Sequence, residues 1–214
     1  MNDLLTWTNT LESRRNALEA RLYAARIADL EITVLSYLDI AQWHFREASS
    51  AAARMLVLYA LSLAAYKPDK RGTIVIWLQQ QALFIYLTPQ EKAFLQSNAT
   101  DARTLAKYSW SLEGAYILAW TMDLVPLSPD PASEAPIASL LSHIPHLHAD
   151  TAGFINHCHY REKEELVDEY IFNDLAVLHL RRLYEQGART VQQLHPMALY
   201  ERRNALKWIT AGKP

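Results

Sequence analysis

Glu113 is the residue of this sequence best placed to carry chemistry, because it is a lone carboxylate in an apolar segment. Its neighbours in YSWSLEGAYILAW, residues 108–120, have helical spacing, so the predicted helix buries it. A buried carboxylate is costly unless a cation pairs with it. We predict that Glu113 binds an arginine, first Arg202 or Arg203 and next Arg54. This pair is structural in our interpretation; the alternative is a general acid or base with a shifted pKa.

Histidines and the single cysteine form a second cluster: His143, His146, His148, His157, Cys158 and His159. Zinc prefers imidazole and thiolate ligands, but the spacing H-x-x-H-x-H followed by H-C-H is not an established zinc motif. Pro145 also interrupts any helix that would bring two of these histidines onto one face. We predict a solvated loop with no tightly bound metal and no cofactor. The alternatives are a zinc site and a pH-sensitive surface, since imidazole titrates at about pH 6.5.

Acidic residues begin the segment REKEELVDEYIFNDLAVLHLRRL, residues 161–183, and arginines end it. Both choices suit the dipole of one long helix. The net charge of -2 gives weak long-range steering, so a basic partner has to meet a local acidic patch. The predicted partner-binding residues, which act together with the histidine loop, are Glu162, Glu164, Glu165, Asp168 and Glu169.

The composition excludes several classes of protein. The chain has 214 residues, of which 50% are hydrophobic and 21% are charged, which is too apolar for a disordered chain. The balanced charge argues against nucleic-acid binding, which needs a basic patch. The longest apolar run, residues 51–66, is shorter than the ~20 residues of a membrane span and predicts a buried helix. A single cysteine and no signal-peptide pattern lead us to expect a cytoplasmic protein.

Helical spacing dominates the chain and predicts one all-α domain of about seven or eight helices. The two most apolar helices, about 49–66 and 100–122, are expected at its centre. Residues 31–46 are rich in β-branched and aromatic side chains, which favours a short extended segment or a hairpin. We divide the chain into an N-terminal helix and extended segment, residues 1–47, packed on a helical core domain, residues 48–214.

Capping residues and prolines mark several boundaries. The sequence TPQE, residues 88–91, has an N-cap threonine, a first-turn proline and a capping-box glutamate. Thr100 or Asp101 caps the next helix. Four prolines in residues 125–136 predict a surface loop inside the domain, and a linker between two domains is the alternative.

Four stretches in order carry motifs of one family: RGTIVIWLQQQALFIYLTPQEKAFL, YSWSLEGAYILAWTMDLVP, REKEELVDEYIFNDLAVLHLRRL and YERRNALKWI. They resemble the domain of unknown function 4272 family, with Trp110, Glu113 and Trp120 at the family's spacing. The resemblance covers about residues 50–210, and residues 1–47 lie outside it. It implies an intracellular, mainly bacterial, all-helical domain, and it implies no activity.

The sequence contains no phosphate-binding loop, dinucleotide fingerprint, nucleophile elbow or H-E-x-x-H zinc motif. We therefore predict a non-catalytic intracellular protein-binding module. Its most specific version is an immunity-type protein that neutralises a bacterial toxin. The expected partner is another protein, such as a toxin or effector, and neither nucleic acid nor a membrane. The alternative is an enzyme of unrecognised type with a site around Glu113 or the loop from His143 to His159.

Overall fold

The computed structural model describes residues 2–27, 30, 32–97, 101–188 and 193–211, and these residues form helices and their connections. The α-helices are α1 (Asn2–Ala24), α2 (Ala48–Tyr66), α3 (Arg71–Gln80), α4 (Pro89–Gln96), α5 (Ala102–Ser109), α6 (Ser111–Thr121), α7 (Ile137–Leu141), α8 (Ala152–His157), α9 (Lys163–Glu185) and α10 (Pro196–Thr210). Eight of them have eight or more residues, while α7 and α8 are single short turns. The all-α prediction is confirmed.

Helices α2 and α6 pack against each other at the centre of the fold. The second central helix was predicted over 100–122 as one piece; the structure divides it at Trp110 into α5 and α6, and only α6 is buried throughout. Every residue of α6 is buried, and α2 buries most of its alanines. Gly114 allows the close approach, since a Cβ there would lie 3.0 Å from Leu58 Cδ1 of α2 and 3.4 Å from Ala205 Cβ of α10. Helix α6 therefore lies between α2 and α10.

Helix α2 is the one helix of the described residues that is long and apolar enough to cross a membrane by length and composition. However, 67% of its most apolar window is buried inside the protein. The predicted buried helix over residues 51–66 is thus present, with the rest of the fold covering its apolar surface.

Helices α1 and α9, each of 23 residues, build a second hydrophobic cluster beside the central one. Leu11, Leu18 and Leu22 of α1 are buried in this cluster with Val167 and Phe172 of α9. They recur at intervals of seven and four residues, which places them on one face of α1.

The segment between α1 and α2 is extended in places and does not form a hairpin among its described residues. It contains two 3-10 helices, Leu35–Leu38 and Ile40–Gln42, and an isolated parallel bridge from His44 to Ala211. The backbone N–H of Arg46 donates to Ile209 O at 2.8 Å. The segment thus pairs with the end of α10 instead of with itself. Residue 31, where the prediction began, lies outside the described residues.

Both capping predictions concern helices that border the site described below. The Thr88 hydroxyl accepts from Glu91 N at 3.3 Å, and the Glu91 carboxylate accepts from Thr88 N at 2.8 Å, which completes the predicted capping box. Asp101 caps α5 by accepting from Thr104 N at 2.9 Å. The alternative cap, Thr100, lies outside the described residues.

Candidate functional site

The Glu113 carboxylate is completely bonded inside the protein. Arg202 Nε donates to Glu113 Oε2 at 2.9 Å, and Arg202 Nη2 lies 2.7 Å from the same oxygen. The other oxygen accepts from Ala135 N at 2.9 Å, and the guanidinium also donates to the carbonyls of Asp130 and Ser133. With only 4% of Glu113 and 1% of Arg202 exposed, this pair fastens α6, α10 and the proline-rich loop together. Both carboxylate oxygens are thus bonded, which favours the structural interpretation of this pair.

The other two arginines predicted for Glu113 bind elsewhere, which corrects those assignments. Arg54 of α2 donates two hydrogen bonds to Glu91, at 2.7 and 2.6 Å. Arg203 pairs with Asp174 of α9. Adjacent residues of a helix are about 100° apart around its axis, so Arg203 faces α9 while Arg202 faces α6.

Most of the acids predicted to form a partner surface are paired with arginines of the same chain. Glu169 is only 2% exposed, and its carboxylate accepts from Arg21 Nη1 at 2.6 Å, Ser128 Oγ at 2.9 Å and Asn173 Nδ2 at 2.8 Å. Asp168 receives two hydrogen bonds from Arg14, at 3.2 and 2.7 Å. Assigning Glu169 to a partner surface was wrong, because it is buried. Asp168 is half-buried and helps to dock α1 onto α9, and its role towards a partner stays a prediction.

The remaining acids of that run lie at the start of α9. Glu165 is exposed and pairs with Arg161 at 3.0 Å. Glu162 is exposed, Glu164 is half-buried, and neither forms an ion pair with the described residues. Arg14 and Arg21 lie two turns apart on one side of α1, but their spacing alone does not identify these acids as their partners.

The predicted histidine cluster lies at the surface, where His157, Cys158 and His159 line one shallow depression. All five histidines are exposed, and the described residues contain no group of three His, Cys, Asp or Glu that could hold a metal ion. The Cys158 thiol is half-buried and donates to Phe154 O at 3.3 Å. Burial raises the pKa of this thiol, which disfavours the reactive thiolate.

A polar cleft that sequence reasoning missed lies where α2, α4, α5 and α10 meet. It has a volume of about 330 Å³. We call it the Glu201 cleft, and its polar and aromatic lining includes Arg54, Glu91, Lys107, Tyr108, Tyr200, Glu201, Asn204 and Trp208. Residues 201, 204, 205 and 208 follow the helical i, i+3, i+4, i+7 pattern on α10, which is the signal that could have revealed a shared face.

The ion pair of Arg54 with Glu91 forms one side of the Glu201 cleft. The side chains of Arg54 and Glu91 are 10% and 12% exposed, and Arg54 Nη1 also donates to Tyr86 O at 2.9 Å. Burial acts to raise the pKa of Glu91, but the hydrogen bonds and charge of Arg54, together with the Thr88 bonds, outweigh it and lower that pKa. Glu91 therefore stays ionised at neutral pH, and its charge is already balanced.

Glu201 faces the same cleft without a partner. Its half-buried carboxylate forms no hydrogen bond or ion pair with any described residue. Burial raises the pKa of Glu201, the charge of Glu91 raises it further, and Lys107 and Arg54 only partly offset both. This carboxyl group can therefore accept a cation or hold a proton.

Tyr108 forms a fixed wall between these groups. Its hydroxyl donates to Gln90 O at 3.0 Å, and its ring stacks on Phe94 with the centroids 3.9 Å apart. Lys107 is exposed, and its ammonium lies 5.1 Å from the centroid of the Tyr108 ring. The cleft therefore has a rigid aromatic wall and a lysine at its rim.

The chain belongs to the family described as Domain of unknown function (DUF4272), whose model matches residues 14–213. The match begins at residue 14 and not near residue 50, so much of α1 and the segment that follows it also belong to the family. The resemblance drawn from the sequence was too short at this end, because its four stretches all lie after α2. No curated protein and no solved structure is significantly similar to the chain.

Proposed function

We propose that this protein is a non-catalytic intracellular binding module whose partner is another protein, and that the Glu201 cleft receives a side chain of that partner. The unpaired carboxylate of Glu201 is the observation that supports this proposal. The more deeply buried carboxylates Glu91, Glu113 and Glu169 each bind an arginine of the same chain. A half-buried carboxylate without a partner costs free energy, which a partner of matching charge recovers on binding.

The cleft walls support binding through a preformed surface. The Arg54–Glu91 pair, the capping box at Thr88 and the Tyr108–Phe94 stack hold the walls before any ligand arrives. A preformed site avoids the entropy cost of ordering side chains on association. A volume of about 330 Å³ is near the lower end of ligand sites and suits one inserted side chain.

The most specific version of this proposal is an immunity-type protein whose partner is a toxin. Such an inhibitor needs a stable scaffold and a surface that does not rearrange. The ion pairs from α1 to α9 and from α6 to α10 favour a stable scaffold. In this version the captured partner is toxic when produced alone and harmless when coexpressed with this protein.

Capture experiments with two charge-removing variants test the proposal. Wild-type protein, Glu201→Gln and the matched control Glu162→Gln are immobilised and exposed to a lysate of the source cells. Glu162 is exposed and lies outside the cleft. We expect one protein to be captured by the wild type and by the control and lost with Glu201→Gln. Equal capture by all three overturns the role of the cleft, and loss with Glu162→Gln alone returns the partner surface to the start of α9.

A second candidate function is acid–base catalysis in the same cleft, and the raised pKa of Glu201 favours it. It is favoured over the enzyme site first considered at Glu113 or in the histidine loop, since both Glu113 oxygens are bonded inside the protein and the five histidines are exposed. Turnover of a small molecule in a broad activity screen, abolished by Glu201→Gln and unaffected by Glu162→Gln, would establish this alternative.

A further inference from the structure

We infer that the Glu201 cleft selects a cationic side chain, an arginine or a lysine, presented by the partner protein. This inference rests on the proposed function and specifies the chemistry that the cleft recognises.

The charges that line the Glu201 cleft are not all balanced by one another. Arg54 is neutralised by two hydrogen bonds to Glu91, and Glu91 is also used by the backbone of Thr88. Neither member of this pair has its charge free for a ligand. Glu201 is the one lining carboxylate that no described cation pairs with, so the charge missing from the interior of the cleft is positive.

The positive charge of Lys107 repels a cationic ligand, but the position of this residue weakens the repulsion. It is exposed at the rim, where water and salt screen its charge. It also forms no ion pair with Glu201. Removing this lysine therefore strengthens the binding of a cation and weakens the binding of an anion, which gives the two ligand classes opposite signatures.

Aromatic side chains favour the same ligand. Tyr108, Tyr200 and Trp208 line the cleft, and aromatic faces attract ammonium and guanidinium groups. The fold already uses one of these rings in this way, since the Arg46 guanidinium lies 4.4 Å from the Trp208 ring centroid. Tyr200 is 44% exposed, and among the described residues no cation lies over its ring.

Proton release is the expected signature of this ligand. Burial and Glu91 raise the pKa of Glu201, against the opposing effects of Lys107 from α5 and Arg54 from α2. Tyr108 and Tyr200 also line the cleft, and burial together with the charge of Glu91 raises the pKa of Tyr108, which keeps that hydroxyl neutral at physiological pH. A cation binds the ionised form of Glu201, so binding releases a proton wherever this group is partly protonated. The affinity then rises with pH until Glu201 is fully ionised and levels off above that point.

The test uses the tripeptide acetyl-Gly-Arg-Gly-amide and its citrulline analogue, which keeps the shape but has no charge. Binding to wild type, Glu201→Gln and Lys107→Gln is measured by titration calorimetry at mildly acidic and neutral pH. We expect the arginine peptide to bind about tenfold more tightly than the citrulline peptide, and Glu201→Gln to remove that difference. Lys107→Gln should tighten arginine binding by about threefold.

Opposite responses overturn the inference. Weaker arginine binding in Lys107→Gln, or tighter binding of acetyl-Gly-Glu-Gly-amide than of the arginine peptide by the wild type, would make the cleft an anion site. If the arginine peptide does not bind but capture of a whole protein depends on Glu201, the cationic ligand is wrong and the proposed function stands. If the arginine peptide binds with these signatures but the lysate yields no protein partner, the proposed function is wrong and the cation comes from a free small molecule.

Discussion

Glu201 and Arg202 are consecutive residues of α10, and their side chains lie in opposite electrostatic surroundings. Arg202 is 1% exposed and bonded to Glu113 and to two loop carbonyls, whereas the Glu201 carboxylate faces a cleft without a partner. The buried arginine anchors α10 against α6, and this anchor sets the position of Glu201. A change at Glu113 is therefore expected to alter both stability and the shape of the cleft.

Replacing Glu113 with alanine should lower the free energy of unfolding by about 3–5 kcal/mol, because Arg202 is left as an unpaired buried charge. Chemical denaturation measures this loss. Glu113→Gln is the matched control, since the amide keeps the size of the side chain and can still accept a hydrogen bond. A large loss for Glu113→Ala beside almost no loss for Glu113→Gln would mean that packing, and not charge, sustains this site.

Replacing Gly114 with alanine should destabilise the fold by about 1–3 kcal/mol although alanine favours helix, because the new Cβ would meet Leu58 Cδ1 at 3.0 Å. Gly72 in α3 is the control, since a Cβ there has no atom within 4 Å. Gly72→Ala should stabilise the protein by about 0.4–1 kcal/mol. Thermal unfolding of the two variants compares the effects, and a stable Gly114→Ala variant would contradict the tight contact of α2 with α6.

Replacing Arg21 with alanine should loosen α1, because Glu169 loses its cation while it stays buried. We expect a cost of about 1–3 kcal/mol, less than for a fully buried pair because Arg21 is partly exposed. Hydrogen exchange should become faster in α1 before it does in α2. Arg15→Ala is the control, since Arg15 has no ion pair with the described residues. Faster exchange in both variants alike would show that α1 is held by something other than this pair.

Glu201 should make stability depend on pH in the direction opposite to Glu91. The pKa of Glu201 is raised in the folded protein, so its ionisation lowers stability as the pH rises through the interval between 4.5, the ordinary glutamate pKa, and the raised value. The pKa of Glu91 is lowered, so its contribution is present above 4.5 and is lost as the pH falls below it.

Thermal unfolding across this pH range measures the difference. Glu201→Gln should raise the melting temperature at neutral pH and leave it unchanged in strong acid. Glu91→Gln should lower it at neutral pH, because Arg54 then lacks its carboxylate. If Glu201→Gln lowers the melting temperature at neutral pH, the Glu201 carboxylate has a bonded partner beyond the contacts described for the cleft.

The purified protein is expected to carry no stoichiometric zinc, since the five histidines of the 143–159 loop are exposed and dispersed along it. Elemental analysis of protein purified without chelators measures the zinc content per chain. Stoichiometric zinc that disappears in His157→Ala would show that the loop gathers its ligands around a metal.

Helix positions and caps could be predicted from the sequence, because they depend on residues within a few positions of one another. The apolar spacing predicted α2 as a central helix, and the sequence TPQE predicted the capping box of α4. The second central helix was predicted over 100–122 without the break at Trp110 that separates α5 from α6. The cost of burying Glu113 among apolar neighbours likewise indicated that it needs an arginine. These conclusions use local periodicity and the chemistry of single side chains.

Only the tertiary structure decided which charges meet. Glu113 and Arg202 are 89 positions apart, and Arg21 and Glu169 are 148 positions apart, so their pairing depends on how whole helices pack. The acidic residues at the start of α9 have the composition of a partner surface, but two of them hold α1 in place. The sequence could not show this, because it depends on how α1 packs against α9. The Glu201 cleft is formed by side chains of α2, α4, α5 and α10, and no local pattern places those four helices around one cavity.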